Sequence, residues 1–273
     1  LVLRQLKSLR ADQGMGYPGR WLDAANQSVT GQVNGLDAAT FPWDKYRATQ
    51  ITYGRTGLMN QGTLDASTPN AFYKYWVKEF YTFRELQSEY LSSDVSQILY
   101  RNAAGALVDL SQALRDNVDF FNAQLKITYA NGLEIYVNRH QSAAWTVALG
   151  GVSYYLPPNG WAARNNATGF LDLSHLVDAG GNPNASGTRV DYVKTSGYIM
   201  VDGRGSTVNF GLDFSNQPIV AAGIKVLKPN NWALVEQSDG SLQQNPPPVI
   251  TGSLSVTAQV GVAFNYTISA TNS

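Results

Sequence analysis

The 273-residue chain has no cysteine, and that absence removes disulfide staples, thiolate metal sites and a cysteine nucleophile together. It does not exclude secretion. Charge of one sign is also missing: Lys plus Arg and Asp plus Glu number 20 each, so nothing favours a nucleic-acid or acidic-membrane partner. No run reaches the roughly 18 apolar residues of a membrane helix, so membrane insertion is not expected. The first residues lack the basic, apolar, small-residue order of a signal peptide, and Leu1, Leu3, Leu6 and Leu9 already lie on a helical stripe. The other end, VGVAFNYTISATNS, stops just after a strand pattern. An internal fragment of a longer polypeptide is therefore expected. Histidine is nearly absent as well. His140 and His175 have no partner at zinc-ligand spacing and no G-x-S-x-G motif to serve, so each is read as a surface residue.

What is present is polar without being ionic. Charged residues make up 15% of the chain, against 21 Asn and 15 Tyr. Such a surface suits a secreted or cell-surface protein that handles neutral polar ligands, sugars above all, although the polar loops of any secreted β-protein look alike.

The patterning divides the chain. Residues 1–11 read as the tail of an amphipathic helix, and residues 14–42 as a long irregular loop. Pro42 opens a helix through Trp43 to Tyr53 that ends at Gly54 and Gly57. Thr68 and Pro69 cap a second, in which Phe72, Trp76, Phe80, Phe83, Leu86 and Tyr90 recur at helical steps and read as a core face. Strand patterns then dominate, at 98–101, 120–129, 133–139, 145–149, 152–156, 160–164, 169–174, 188–194, 198–201 and 207–214, with apolar runs at 219–226 and 232–235. DAGGNPNASG is a loop by composition and lacks the acid spacing of a calcium loop.

Two hairpins can be put in register from residues alone. A two-residue Asn131-Gly132 turn would split the aliphatic residues between faces. A three-residue loop, Ala130-Asn131-Gly132, instead pairs 125 with 137 and 127 with 135, and requires Gly132 to be left-handed. A Gly150-Gly151 loop sets Trp145, Val147 and Leu149 opposite Leu156, Tyr154 and Val152. Each hairpin is expected to have one buried and one wet face, as in a β-sandwich.

The segments ITYANGLEIYVNR, YYLPPNGWAAR and RVDYVKTSGYIMVDGRG resemble the β-sandwich domain that follows the catalytic barrel in large, multidomain bacterial glycoside hydrolases. The resemblance covers roughly Asp44 to Leu212. It implies an α+β fragment: residues 1–93 as the C-terminal part of an α/β barrel, with its terminal helices, and 94–236 as an antiparallel β-sandwich. EQSDGSLQQNPPP lacks periodicity, so 237–248 read as a Pro-rich linker, and 249–273 resemble the start of an immunoglobulin-like module.

Glycoside hydrolysis needs two carboxyl groups flanking a sugar, one able to protonate the leaving oxygen. The loop acids of the barrel-like part are Asp12, Asp23, Asp37, Asp44 and Asp65. Trp21 with Asp23 is the best subsite candidate, because an aromatic face beside a carboxylate suits a pyranose ring; a turn or capping role is the alternative for Asp23. Asp44 is expected to favour the helix N-terminus through the dipole. Tyr53-Gly54-Arg55, followed by Gly57-Leu58, matches the family's YGR step, which makes Tyr53 and Arg55 substrate-binding candidates, with an ion pair closing the barrel as the other role for Arg55. VDGRG, at 201–205, reads as a tight hairpin turn. No catalytic residue is assigned and no cofactor or metal is expected. The partners implied are a polysaccharide or glycan and neighbouring domains of the same polypeptide. On this reading the chain is a mainly structural or accessory, inactive part of a secreted carbohydrate-active enzyme. The alternatives are a non-catalytic carbohydrate-binding or adhesive surface protein and a cell-surface-layer component.

Overall fold

A computed structural model describes residues 43–54, 69–244, 249–250 and 270–271. The expected helix caps at Pro42 and Thr68, the helical tail at 1–11, the loop at 14–42 and most of the immunoglobulin-like segment lie outside those residues.

Helix α1 (Trp43–Tyr53) has the bounds its sequence predicts. It is buried nearly all round, Arg47 included. Its threonines avoid exposing hydroxyls to the core by back-bonding one turn: Thr49 Oγ1 donates to the Lys45 carbonyl and Thr52 Oγ1 to that of Ala48, both at 2.7 Å. Gly54, at φ +59°, closes the helix in the left-handed conformation that other residues resist.

Helix α2 (Pro69–Leu91) keeps its expected core-facing role only in part. Phe83, Leu86 and Tyr90 are buried, but Trp76 is 36% and Phe80 53% exposed. The side turned to the sheet is mixed: beside Phe83, Leu86 and Tyr90 it carries Lys74, Lys78 and Glu89 at helical steps. An aromatic stripe marks apolarity and does not say which neighbour a helix will meet.

From β1 (Val95–Arg101) the chain runs through β2 (Leu107–Val108), the short α3 (Leu110–Arg115), β3 (Gln124–Tyr129), β4 (Leu133–Asn138), β5 (Trp145–Leu149) and β6 (Val152–Leu156). It continues as β7 (Trp161–Asn165), β8 (Phe170–Val177), β9 (Thr188–Lys194), β10 (Ile199–Asp202), β11 (Val208–Leu212) and β12 (Pro218–Ala221). The last main-sheet strands are β13 (Ile224–Leu227), β14 (Ala233–Glu236) and β15 (Leu242–Gln244); β16 (Val249–Ile250) pairs with β17 (Ala270–Thr271). The main sheet is antiparallel and has the order β15-β14-β13-β10-β9-β8-β7-β4-β3-β1-β2. β15 makes part of the expected linker an edge strand, since 242–244 pair with 234–236.

Both hairpin registers agree with the residue-level expectation. Leu125 faces Val137 and Ile127 faces Ile135, with Gly132 at φ +88°; Trp145, Val147 and Leu149 face Leu156, Tyr154 and Val152 across Gly150 and Gly151, both at positive φ. The β5–β6 hairpin has the expected buried and wet faces, whereas β4 of the first hairpin is buried on both. β4 pairs onward with β7, while the β5–β6 hairpin folds over the outer face and touches the sheet ladder only at Tyr155–Leu176. Tyr136, Ala162 and Leu173 are buried beneath it. The β11–β12 hairpin covers Ile199 and Val201 in the same way. On the inner face, Ile127, Ile135, Trp161, Val193 and Met200 share one core with Tyr46, Ile51, Phe83 and Leu86 of the helices. The result is a sandwich-like layering: helices, antiparallel sheet, hairpins.

Asn138, fully buried, fastens the Leu-Pro-Pro-Asn-Gly-Trp corner. Its amide nitrogen contacts the carbonyls of Ala143, Leu156 and Pro157 at 2.8–3.0 Å, and its Oδ1 accepts from Gln124 at 3.1 Å.

Candidate functional site: an ion-paired cleft between helices and sheet

Strand alternation sends Asp172 and Ser174 of β8, Asp191 of β9 and Asp202 of β10 to the helix side of the sheet. There they meet the polar side of α2 and the first turn of α1. Asp191 and Asp202 are direct register partners on neighbouring strands, an arrangement that repels unless a cation intervenes. Lys78 Nζ supplies it, 2.5 Å from an oxygen of each. Arg204 follows Asp202 and Gly203 in the turn and adopts φ +52°, a conformation unusual outside glycine. That backbone aims its guanidinium between two carboxylates: Nε and Nη2 donate to Asp191 at 2.8 and 2.9 Å, and Nη1 and Nη2 to Asp44 at 2.9 and 2.7 Å. Arg189 adds a 2.9 Å pair to Asp44 and donates to the carbonyls of Pro158 and Asn159 in the corner. Arg47 reaches Glu79 and, at 3.4 Å, Asp44.

The VDGRG segment is therefore a tight turn, as expected, but it closes no hairpin. It carries the chain from β10 in the main sheet to β11 in a separate one. Asp44, expected only to complement a helix dipole, is the meeting point of three arginines.

The titration of these groups follows from their surroundings. Burial pushes the Asp44 carboxyl up, but the Arg204 hydrogen bond and the charges of Arg189, Arg204 and Arg47 more than offset it and hold it at about 2. Burial likewise opposes ionisation of Asp191, and Arg204 and Lys78 override it, leaving it well below the usual range. Burial draws Arg189 down to about 10 despite Asp44. For Glu79 burial prevails over Arg47 and raises its carboxyl. Asp172 is pushed well above the carboxylate range by burial; Trp161 Nε1 donates to its Oδ1 at 2.7 Å while Oδ2 has no partner. The neutral acid is the form that fits.

The cleft beside this cluster has a volume of about 890 Å³. Asp44, Arg47, Lys78, Asp202 and Arg204 form its charged wall, and Trp43, Phe121, Asn122 and Arg139 stand around it. Lys74 pairs with Glu236 on the same side. Arg47, Lys78, Arg189 and Arg204 balance Asp44, Glu79, Asp191 and Asp202 one for one, so the cluster is electrically closed. Among the described residues no group of three or more His, Asp or Glu side chains is placed to hold a metal ion.

Of the sequence-level candidates, Tyr53 ends α1, half-buried beneath the Arg139 guanidinium, which lies 5.5 Å from its ring centre. It sits behind the cleft wall. Trp21, Asp23 and Arg55 lie outside the described residues. Sequence reasoning missed Lys78, Arg189, Asp191, Asp202 and Arg204. The available signal was an aspartate flanked by apolar residues in VDYV of β9 and another closing IMVD of β10, each needing a counter-charge if buried. His140 caps its own loop, its Nδ1 accepting from Ser142 and Ala143. His175, expected at the surface, is 5% exposed on the outer face, where burial lowers it to about 4.

Compared with known protein families, curated proteins and solved structures, the chain matches none.

Proposed function

We propose that this chain is a structural or accessory part of a secreted or cell-surface carbohydrate-active protein, with α1 and α2 as the terminal helices of a glycoside-hydrolase barrel and the sheet as its bracing β-domain. The start of an immunoglobulin-like module follows it. The resemblance motifs and the neutral polar composition support the carbohydrate context. The bracing role rests on one observation: Asp44, Arg47, Lys78, Asp202 and Arg204 of the cleft wall are all ion-paired within one cluster, across elements as distant as Asp44 and Arg204. A glycosidase site needs an acid and a base left free for substrate. Here the carboxylates are held ionised by arginines or shut into the core, and the energy of the cluster goes into joining helices to sheet.

The test pairs turnover with stability. The full chain is assayed against a polysaccharide panel, and Asp44→Asn is compared with the parent by thermal melting. No turnover together with a lowered melting temperature is expected. Hydrolysis abolished by Asp44→Asn at unchanged melting temperature would refute the bracing role.

A further inference from the structure

The outer face holds a second cavity, on the opposite side of the sheet from the ion cluster. Its floor is His175 of β8 with Val190 and Tyr192 of β9; Tyr154 of the β5–β6 hairpin forms one wall and Phe210 of the β11–β12 hairpin the other. The volume is about 310 Å³, at the small end of ligand pockets. One end is closed by the loop after β8. An added Cβ at Gly181 would lie 1.9 Å from the Asn209 carbonyl oxygen, and Asn209 N donates to the Ala179 carbonyl at 3.1 Å, so loop and β11 are in direct backbone contact. The cavity is thus a built feature of three elements.

We infer that this groove is a binding site for an uncharged, hydroxyl-bearing ring with an apolar face, a neutral pyranose of a glycan chain. Three observations carry the assignment. No Asp, Glu, Lys or Arg is among the described lining residues, so a charged ligand would be desolvated without a counter-charge. The Tyr192 and Phe210 rings, parallel at 6.4 Å and 8°, both line the groove and give it the aromatic carbon that the apolar face of a sugar ring packs against. His175, nine-tenths buried, has an Nδ1 with no hydrogen-bond partner. A buried orphan N–H costs more than a buried orphan lone pair, so Nδ1 carries the lone pair and Nε2 the proton. The imidazole is left with a donor to offer, held edge-on to Tyr154 at 5.3 Å. A purely apolar ring would leave that donor and the tyrosine hydroxyls unmet. Choosing a sugar among neutral hydroxylated rings rests on the carbohydrate context proposed above; the groove itself does not.

Ligand-observed NMR and calorimetry on the full chain test this with neutral oligosaccharides, uronic-acid oligosaccharides and 2-naphthol as an apolar ring probe. Neutral oligosaccharides are expected to bind and uronates not. Phe210→Ala should weaken binding about tenfold through the lost stacking surface, and His175→Gln several-fold through the misplaced donor. Phe210 lies on the small two-stranded sheet, so its variant keeps the test alive if His175→Gln fails to fold. Equal binding of uronates would overturn the neutral class. Sugar binding untouched by both substitutions would overturn the groove while leaving the carbohydrate context standing. Binding of 2-naphthol alone, lost in Phe210→Ala, would overturn the sugar and count against that context.

Discussion

Replacing Lys78 with Met isolates the strongest claim about the ion cluster. Lys78 is buried, and its Nζ is the cation between Asp191 and Asp202, which face each other on β9 and β10. Methionine keeps most of the volume and removes the charge. Asp191 retains two bonds from Arg204, but Asp202 loses its ion pair and keeps only the Arg204 backbone N–H at 2.8 Å. Breaking one partner out of a buried pair costs about 3–5 kcal/mol. At about 2–4 °C per kcal/mol for a domain of this size, the melting temperature should fall by about 6–20 °C. Urea denaturation at pH 7 measures the same loss directly. Lowering the pH should narrow the gap, because the parent loses the contribution of Asp191, whose carboxyl Arg204 and Lys78 together hold below the usual range. For Asp44 that contribution is complete above its ordinary 3.8 and is lost as pH falls through about 2. Adding Asp202→Leu to Lys78→Met should recover most of the stability, since a packed apolar pair replaces an ion pair at little cost. A loss under about 1 kcal/mol at pH 7 would mean that solvent screens the cluster and that it does not brace the helices.

Other substitutions probe separate links. Asn138→Ala should cost about 2–4 kcal/mol in urea, because two corner carbonyls and that of Ala143 lose their donor. Asp172→Asn should be as stable as the parent or more so at pH 7: a carboxyl raised by burial makes the folded state hold its proton, so the parent loses stability as pH rises above 3.8, and the advantage of the variant should shrink by pH 3. Gly151→Ala should cost about 1 kcal/mol from backbone strain alone, with nothing within 4 Å of the new methyl, whereas Gly187→Ala places it 2.1 Å from the Val177 carbonyl oxygen and should cost several times more by thermal melting.

Much of the local architecture was legible before folding was considered. The bounds of α1 and the registers of both glycine-turn hairpins depend on residues within a dozen positions of one another, and turn chemistry plus alternation leaves one arrangement that keeps the apolar set together. The site was far less legible. Lys78 and Asp202 are separated by 124 residues, and neither alone differs from an ordinary surface charge in the sequence. His175 read as a surface histidine because nothing near it announces that two hairpins will close over its face.

By itself, then, the sequence determined the α1 helix, the strands and their turns, and the absence of thiol chemistry and of net charge. The tertiary structure alone decided that β4 would pair with β7 and not β5, that Trp76 and Phe80 of the α2 stripe would stay exposed while Lys78 met the sheet, and that two aspartates would share one lysine. The division has a physical cause. Turns and alternation act over a few residues and are written locally, while the sign and burial of a charge depend on whichever distant strand or helix the chain brings against it.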